Sequence, residues 1–345
     1  MRASLYLAVV LVLALAFIIY HFAFSGVKGH FTLTGGQIAQ YRQEAGSNGA
    51  FFGVEGASAY NSTVLSDMHY IGVNTVRFDV SFDNQTRANA KMLAAKGFGL
   101  LGILDYRTLG VGSANYTCVS MCNWTLGDWN SSVSNAVETY PEVHSWELWN
   151  EPLVPMFQSG LVNGSAHNYY LMARSAHRII KAHNNSDSVV CLGGAGLDPE
   201  SYNWTRQLWQ YNISNYCDAI SIHEYTAFTY LFNQTPAGSY YNLSTYAGMG
   251  LDLFHNLTGK NVWITEMGIP SNNGSMPYLG NNPDKQAAFL AQGFATMLTR
   301  PYVKGIFWFN LQGQAVGLDF GLLNDTAGMK PAAHIFRDFA NATAS

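Results

Sequence analysis

The chain has few charged side chains and few cysteines, and both shortages exclude classes of protein. Lys, Arg, Asp and Glu make up 12% of the 345 residues, and the formal net charge is −4. Such a balance excludes a broad nucleic-acid-binding surface. The four cysteines include no Cys-x-x-Cys pair, and no paired histidines stand near them, which argues against a structural zinc site. Because no linker-like segment interrupts the 48% apolar chain, one domain with a large core is expected.

The amino terminus is a long apolar run. Residues 5–24 are apolar apart from His21 and the tyrosines Tyr6 and Tyr20, and Arg2 precedes them. A run of about 20 residues can span a bilayer and exceeds a typical signal-peptide core. We therefore expect residues 1–26 to be either an uncleaved membrane anchor or a removed signal peptide. Residues 27–48 would form a short extension, and residues 49–341 an exported domain, monomeric and at the cell surface or outside the cell.

The remaining surface composition agrees with export. Fifteen Asn-x-Ser/Thr sequons are present, at Asn61, Asn84, Asn115, Asn123, Asn130, Asn163, Asn184, Asn203, Asn212, Asn233, Asn242, Asn256, Asn273, Asn324 and Asn341. Their density predicts N-linked glycans on an exported chain. A surface built from Asn, Ser, Thr and Tyr keeps its solvation when carboxylates protonate, which suggests an acidic habitat.

The cysteines form two candidate pairs. Cys118 and Cys122 lie close together in sequence and could close a small disulfide. Cys191 and Cys217 would lie on neighbouring strands of the barrel predicted below. Either a disulfide or two buried thiols fits that second pair.

Short apolar runs alternate with amphipathic segments along the chain. Eight strand-like runs are expected, at residues 51–55, 75–80, 99–105, 144–151, 189–193, 219–225, 262–266 and 305–310. The helix-like segments between and after them are 62–71, 87–96, 133–140, 169–183, 204–211, 246–257, 285–298 and 331–339. Strands so uniformly apolar predict a closed (β/α)8 TIM barrel in a single domain. A doubly wound open sheet is disfavoured because residues 53–58 make a poor phosphate loop.

Two of the runs lead into a glutamate followed at once by Pro or Gly. Glu151 is expected to end the fourth strand, and Glu266 the seventh. A carboxylate at the tip of a buried strand is costly to desolvate, so it needs a partner or a use. In a barrel the two would face each other at the carboxyl ends of the strands, where barrel chemistry gathers. Paired carboxylates of this kind break glycosidic bonds.

The segments around these glutamates resemble clan A glycoside hydrolases. Asn150-Glu151-Pro152 after Trp-Glu-Leu-Trp is similar to the strand-four signature of that clan, and Ile264-Thr265-Glu266-Met267-Gly268 to its strand-seven segment. The resemblance implies that Glu151 is the acid/base and Glu266 the nucleophile. It also implies that Asn150 binds the sugar 2-hydroxyl.

Four further residues carry the same resemblance. His223 and Tyr225 match a strand-six His-x-Tyr pattern in which the His lines the site and the Tyr bonds the nucleophile. Arg77 matches the strand-two arginine beside the nucleophile, and Trp308 the strand-eight aromatic platform for the −1 sugar. The chain is most similar to family 5, with some family 39-like features. Asp105-Tyr106-Arg107 stands where many family 5 members carry a His, which is a departure.

The resemblance implies a retaining β-glycosidase that acts on a β-linked polysaccharide without a metal or cofactor. An endo-β-1,4-glucanase is the first expectation and a mannanase the second. An exo-acting β-glycosidase or β-xylosidase is an alternative, and so is a non-catalytic carbohydrate-binding protein on the same barrel. A Schiff-base aldolase is disfavoured because no lysine ends any of the eight runs.

Several other residues have less specific expectations. Glu147 should be a buried partner of a barrel cation, and Glu224 should be structural. Glu55 and Asp105, which end the first and third runs, are candidates for substrate contact. Trp124, Trp129 and the aromatic residues of 226–246 could either bind sugar or pack loops onto the barrel.

Overall fold

The computed structural model describes residues 49–57, 59–110, 124–225, 243–272, 282–315 and 317–341, with 36, 39, 40 and 43. The expected anchor or signal segment at residues 1–26 lies outside them. So do the extension up to residue 48, apart from those four positions, the Cys118–Cys122 pair and residues 226–242 of the aromatic loop. Within the described ranges, no helix is both long and apolar enough to cross a bilayer.

Eight parallel strands close into a barrel in sequence order, with β1 pairing both β2 and β8. The strands are β1 Phe51–Glu55, β2 Thr75–Asp79, β3 Gly99–Leu104, β4 Ser145–Leu148, β5 Ser188–Ala195, β6 Ala219–Glu224, β7 Asn261–Met267 and β8 Val303–Trp308. After β8 comes a short antiparallel hairpin of β9 Gln314–Ala315 and β10 Leu318–Asp319. The predicted parallel barrel is confirmed.

A helix follows each strand of the barrel. These helices are α1 Ser62–Ile71, α2 Asn84–Ala95, α3 Leu126–Thr139, α4 Ala166–His183, α5 Pro199–Gln210, α6 Leu243–Thr258, α7 Pro283–Leu298 and α8 Pro331–Ala340. Most begin earlier than their hydrophobic periodicity predicts. The reason is polar capping: side chains such as Asp83, Thr125 and Asn282 accept backbone N–H groups of the first turn, which extends each helix toward its polar start.

The lower part of the barrel is filled by apolar side chains. Leu101, Val190, Ala219 and Phe307 are buried together there, with Phe51 and Trp263 packed against them. Gly53 makes room for this packing, since a Cβ at its position would lie 2.2 Å from the ring of Phe307. This packed core leaves the opposite, carboxyl-terminal end of the strands for polar side chains.

A disulfide joins Cys191 of β5 to Cys217, which lies just before β6, across 26 residues of sequence. The sequence left open whether this pair is a disulfide or two buried thiols, and the structure has the disulfide. The bond ties the neighbouring strands β5 and β6 together. β5 carries Gly193 and Gly194 near its carboxyl end, and β6 carries His223.

Candidate active site

The chain leaves the sheet after β4 through an unusual turn. β4 ends at Leu148, so the expectation that Glu151 ends this strand is wrong. The cause is local backbone conformation: Trp149 has a φ of 73° and Glu151 a φ of 47°, values that turn the chain out of the ladder. The backbone N–H of Glu151 instead donates to the carbonyl oxygen of Gly193 at 2.6 Å.

Indole rings support this turn from behind. Trp149 is fully buried and its Nε1 donates to the carbonyl oxygen of Phe157 at 2.9 Å. Trp124 and Trp129 are also buried and pack against Trp149, with ring centroids 5.8 and 6.1 Å away. The two tryptophans left undecided by the sequence therefore pack the loop and expose little surface for sugar stacking.

The glycines at the end of β5 are required by close packing. Leu192, Gly193 and Gly194 all have positive φ, and the pairing register of β5 with β6 shifts between Cys191 and Ala195. A Cβ on Gly194 would lie 2.1 Å from Nε2 of His223. The glycine-rich strand exit thus gives His223 the space that it occupies.

One buried guanidinium connects the acidic groups at the strand ends. Arg77 is fully buried and donates through Nε to Glu147 at 2.6 Å. Its Nη1 donates to Glu266 at 2.5 Å and also to Glu55, and its Nη2 donates to the amide oxygen of Asn150 at 2.8 Å. Glu147 is therefore a buried partner of a barrel cation, as predicted.

Glu266 is held from two further directions. The hydroxyl of Tyr225 donates to its Oε2 at 2.8 Å, and Nε2 of His223 lies 3.4 Å from its Oε1. Nδ1 of His223 lies 2.8 Å from Oε1 of Glu151, so this imidazole bridges the two glutamates. One oxygen of each carboxylate and a ring nitrogen of His223 all lie within 4.8 Å of one another.

Six of the seven site residues singled out from the sequence thus meet at one place. They are Arg77, Asn150, Glu151, His223, Tyr225 and Glu266. Trp308 does not join them as a sugar platform, because its side chain is fully buried and its Nε1 donates to the carbonyl oxygen of Phe320 at 2.9 Å.

The residue after Trp308 was missed by the sequence analysis. Phe309 is half-buried and lies edge-to-face with Tyr225, with ring centroids 6.3 Å apart. Strand alternation could have found it: if Trp308 points outward to pack on Phe289 of α7, its neighbour points the other way.

Burial and neighbouring charges shift the pKa values of three side chains at this end of the barrel, those of His223, Glu55 and Asp105. Burial opposes a charged imidazole at His223, but Glu266 and Glu151 outweigh it and raise its pKa. At Glu55 burial is the main effect, joined by repulsion from Glu266, and the pKa rises to about 8 although Arg77 opposes it. Burial likewise raises the pKa of Asp105 to about 7 against the attraction of Arg107.

The cluster of Glu151, His223 and Glu266 also has the spacing of a metal site, in the part of the chain that the structure describes. Its chemistry argues against that use. The guanidinium of Arg77 is bonded to Glu266 and would repel a bound cation, and Tyr225 occupies the other oxygen of that carboxylate.

The comparisons with known proteins bear on the family and the fold of the chain. A family model described as glycosyl hydrolase catalytic core matches residues 123–336. The chain belongs to this family. A search of the curated proteins gave no match for this glycosyl hydrolase.

Solved structures resemble the glycosyl hydrolase in fold. A β-D-glucuronidase from Dictyoglomus thermophilum aligns with a TM-score of 0.59 at 13% identity over 85% of this chain and 50% of that one. An uncultured Clostridium sp. β-glucuronidase gives 0.58 at 14%, again over 85% and 50% of the two chains. A β-galacturonidase from Eisenbergiella tayi, bound to galacturonate, gives 0.55 at 12% over 84% and 50%. The present chain spans about half the length of these proteins.

We expect the fold to be more stable in acid than in base. Glu55 and Asp105 keep protons in the folded state that the unfolded chain releases at lower pH, so the folded state binds more protons up to pH about 8. The raised pKa of His223 acts in the same direction. Each such proton lowers the free energy of unfolding by up to about 1.4 kcal/mol per pH unit in its window. The melting temperature measured by calorimetry should fall between pH 5 and pH 9. The fall should be less steep in Glu55→Gln, which lacks the titrating carboxyl group. A melting temperature that rises over this range would contradict the assigned pKa shifts.

We expect Gly194→Ala to displace His223 and to abolish most activity. Gly97→Ala is the matched control, because Gly97 has a similar positive φ, 86° against 76°, but no atom within 4 Å of the place where an added Cβ would lie. Both variants should lose about 1–2 kcal/mol from backbone strain. Gly194→Ala alone should lose more stability than this amount when it is unfolded in urea. It alone should also lose most of its turnover in hydrolysis assays. Equal behaviour of the two variants would show that His223 is not held by this contact.

Proposed function

We propose that this glycosyl hydrolase is a retaining β-glycosidase. The observation that carries the proposal is the approach of the Glu151 and Glu266 oxygens to within 4.8 Å of each other. Retaining enzymes hold their two carboxyl groups about 5–5.5 Å apart, whereas inverting enzymes leave about 6.5–9.5 Å for a water molecule. The short separation favours direct attack by one carboxylate.

The surroundings of the two carboxylates support different roles. Glu266 accepts hydrogen bonds from Arg77 and Tyr225, which hold its carboxylate in place as the nucleophile. Glu151 contacts His223 and about a fifth of its side chain is exposed, which suits a group that exchanges protons with substrate and water.

The reaction proceeds in two displacements. An oxygen of Glu266 forms a bond to the anomeric carbon while the glycosidic bond breaks, and Glu151 gives its proton to the departing oxygen. Water then attacks the same carbon, Glu151 takes a proton from that water, and the bond to Glu266 breaks. Each step inverts the anomeric carbon, so the overall configuration is retained.

Asn150 is suited to bind the sugar beside these groups. Its amide oxygen accepts a hydrogen bond from Arg77 at 2.8 Å, which fixes the orientation of the amide. The amide nitrogen can then donate to a sugar hydroxyl. Phe309, next to Tyr225, replaces Trp308 as the proposed stacking surface for a pyranose ring.

A β-linked polysaccharide is the proposed substrate, with glucan first and mannan second. The family resemblance and the aromatic residue at the strand ends support this choice.

Export of the protein from the cytoplasm is proposed as well. The Cys191–Cys217 disulfide is typical of oxidising compartments, and eight of the ten sequon asparagines in the described ranges are exposed.

The test is chemical rescue of a nucleophile variant. Glu266→Ala should lose at least about 1,000-fold in hydrolysis of an activated aryl β-glycoside. Added azide should restore turnover and yield an α-glycosyl azide, because azide attacks where the carboxylate is missing. Glu200→Ala, which removes an exposed glutamate from the first turn of α5, is the control and should keep full activity. Retained activity in Glu266→Ala, or rescue that gives a β-azide, would overturn the proposal. A panel of β-glucans and β-mannans then identifies the polymer.

A further inference from the structure

A third carboxyl group lies beside the proposed nucleophile, and the reaction described above does not use it. This group belongs to Glu55, the last residue of β1, which pairs in register with Arg77 of β2. Nη1 of Arg77 donates both to Oε2 of Glu55 and to Oε1 of Glu266. Two hydrogen bonds that share one nitrogen place their acceptors within about 6 Å of each other. Glu55 therefore lies next to the carboxylate that is proposed to attack the sugar.

One oxygen of Glu55 is available to a ligand. Oε2 accepts from Arg77 and the carbonyl oxygen accepts from the N–H of Leu311, whereas Oε1 has no hydrogen-bond partner among the described residues. About 21% of the side chain is exposed. Glu147, which also contacts Arg77, is fully buried, and its two oxygens accept from Arg77 and Thr265. Of these two glutamates, only Glu55 can reach a bound sugar.

The charge balance at Arg77 favours a proton on Glu55. One guanidinium contacts three carboxyl groups, those of Glu55, Glu147 and Glu266. A single positive charge does not balance three buried anions, so one carboxyl group gains by staying neutral. Burial raises the pKa of Glu55 to about 8, and repulsion from Glu266 and Asp79 adds to this effect against the attraction of Arg77. Because Oε2 accepts from Arg77, the proton belongs on Oε1, where it can be donated.

We propose that Glu55 binds the reacting sugar by donating a hydrogen bond from Oε1 to a hydroxyl group other than the 2-hydroxyl. The 2-hydroxyl is assigned to Asn150, whose amide oxygen accepts from Nη2 of the same guanidinium. One rigid planar group thus sets the spacing between both sugar-binding side chains and Glu266. A sugar hydroxyl can accept from a neutral carboxyl group, and that group adds no second negative charge beside Glu266. The inference rests on the proposed glycosidase function.

The test combines a change in the enzyme with a change in the substrate. The parent substrate is the better hydrolysed of an aryl β-glucoside and an aryl β-mannoside, and it is compared with its 3-deoxy, 4-deoxy and 6-deoxy forms. Glu55→Ala should lower the parent-to-deoxy ratio of kcat/KM by about fivefold for one of the three, because the variant has no donor for that hydroxyl. The other two ratios should not change. Glu55→Met fills a similar volume without a donor, so it should give the same result and keeps the test open if the alanine variant does not fold.

Two further variants serve as controls. Glu55→Gln keeps an oxygen to accept from Arg77 and gains an amide N–H in the place of the carboxyl proton, so all three ratios should stay within about twofold of the wild type. Glu138→Ala removes an exposed glutamate near the end of α3, at the opposite end of the barrel, and should leave every ratio unchanged.

The ratios separate sugar binding from support of the site. If Glu55 only held Arg77 in place, its removal would slow the parent and the deoxy substrates in the same proportion. Three unchanged ratios in Glu55→Ala or Glu55→Met, or an equal change in Glu138→Ala, would overturn the inference and leave the proposed function standing. A fivefold change in Glu55→Gln would also overturn it, since that variant retains a donor. Wild-type protein that hydrolyses neither parent glycoside would overturn the proposed function, and the inference with it.

Discussion

The buried guanidinium of Arg77 is the interaction on which the rest of the site depends. It joins β2 to three other strands by contacting Glu55 of β1, Glu147 and Asn150 at the end of β4, and Glu266 of β7. A buried charge is stable only when it is paired and hydrogen-bonded, and the loss of one partner commonly costs about 3–5 kcal/mol. The barrel's own stability thus requires the arrangement that also positions Glu266, because Arg77 cannot be buried without these acceptors. Stability and chemistry share one set of contacts.

The opposing carboxylate is positioned by a different device. Glu151 does not extend a strand; it leaves β4 through residues of positive φ and is bonded by its backbone to Gly193. The hydroxyl of Tyr169, fully buried on α4, donates to the carbonyl oxygen of Leu148 and accepts from the N–H of Leu192. This bridge fixes the end of β4 to the turn of β5. Gly194 then admits His223 between the two glutamates.

The sequence predicted the barrel and most of the site because its strongest signals are local. Apolar runs of strand length, helix periodicity and Asn150-Glu151-Pro152 each identify themselves over a few residues, and six of the seven predicted site residues meet. Trp308 was misplaced because sequence alone does not fix which face of β8 points inward. Two other features depend on contacts between strands that are distant in sequence, which no local pattern encodes. They are the turn at Trp149 and Glu151 and the hydrogen bond from Arg77 to Glu55.

The central claim is that Glu266, held by Arg77 and Tyr225, attacks the anomeric carbon itself while Glu151 supplies the proton. Trapping with an activated 2-deoxy-2-fluoro β-glycoside tests it most directly, since the fluorine slows hydrolysis of a covalent glycosyl-enzyme more than its formation. Mass spectrometry of the digested protein should find one added fluorosugar, attached to Glu266. Attachment to Glu151 or Glu55, or turnover that releases the inverted anomer with no labelled peptide, would contradict the account.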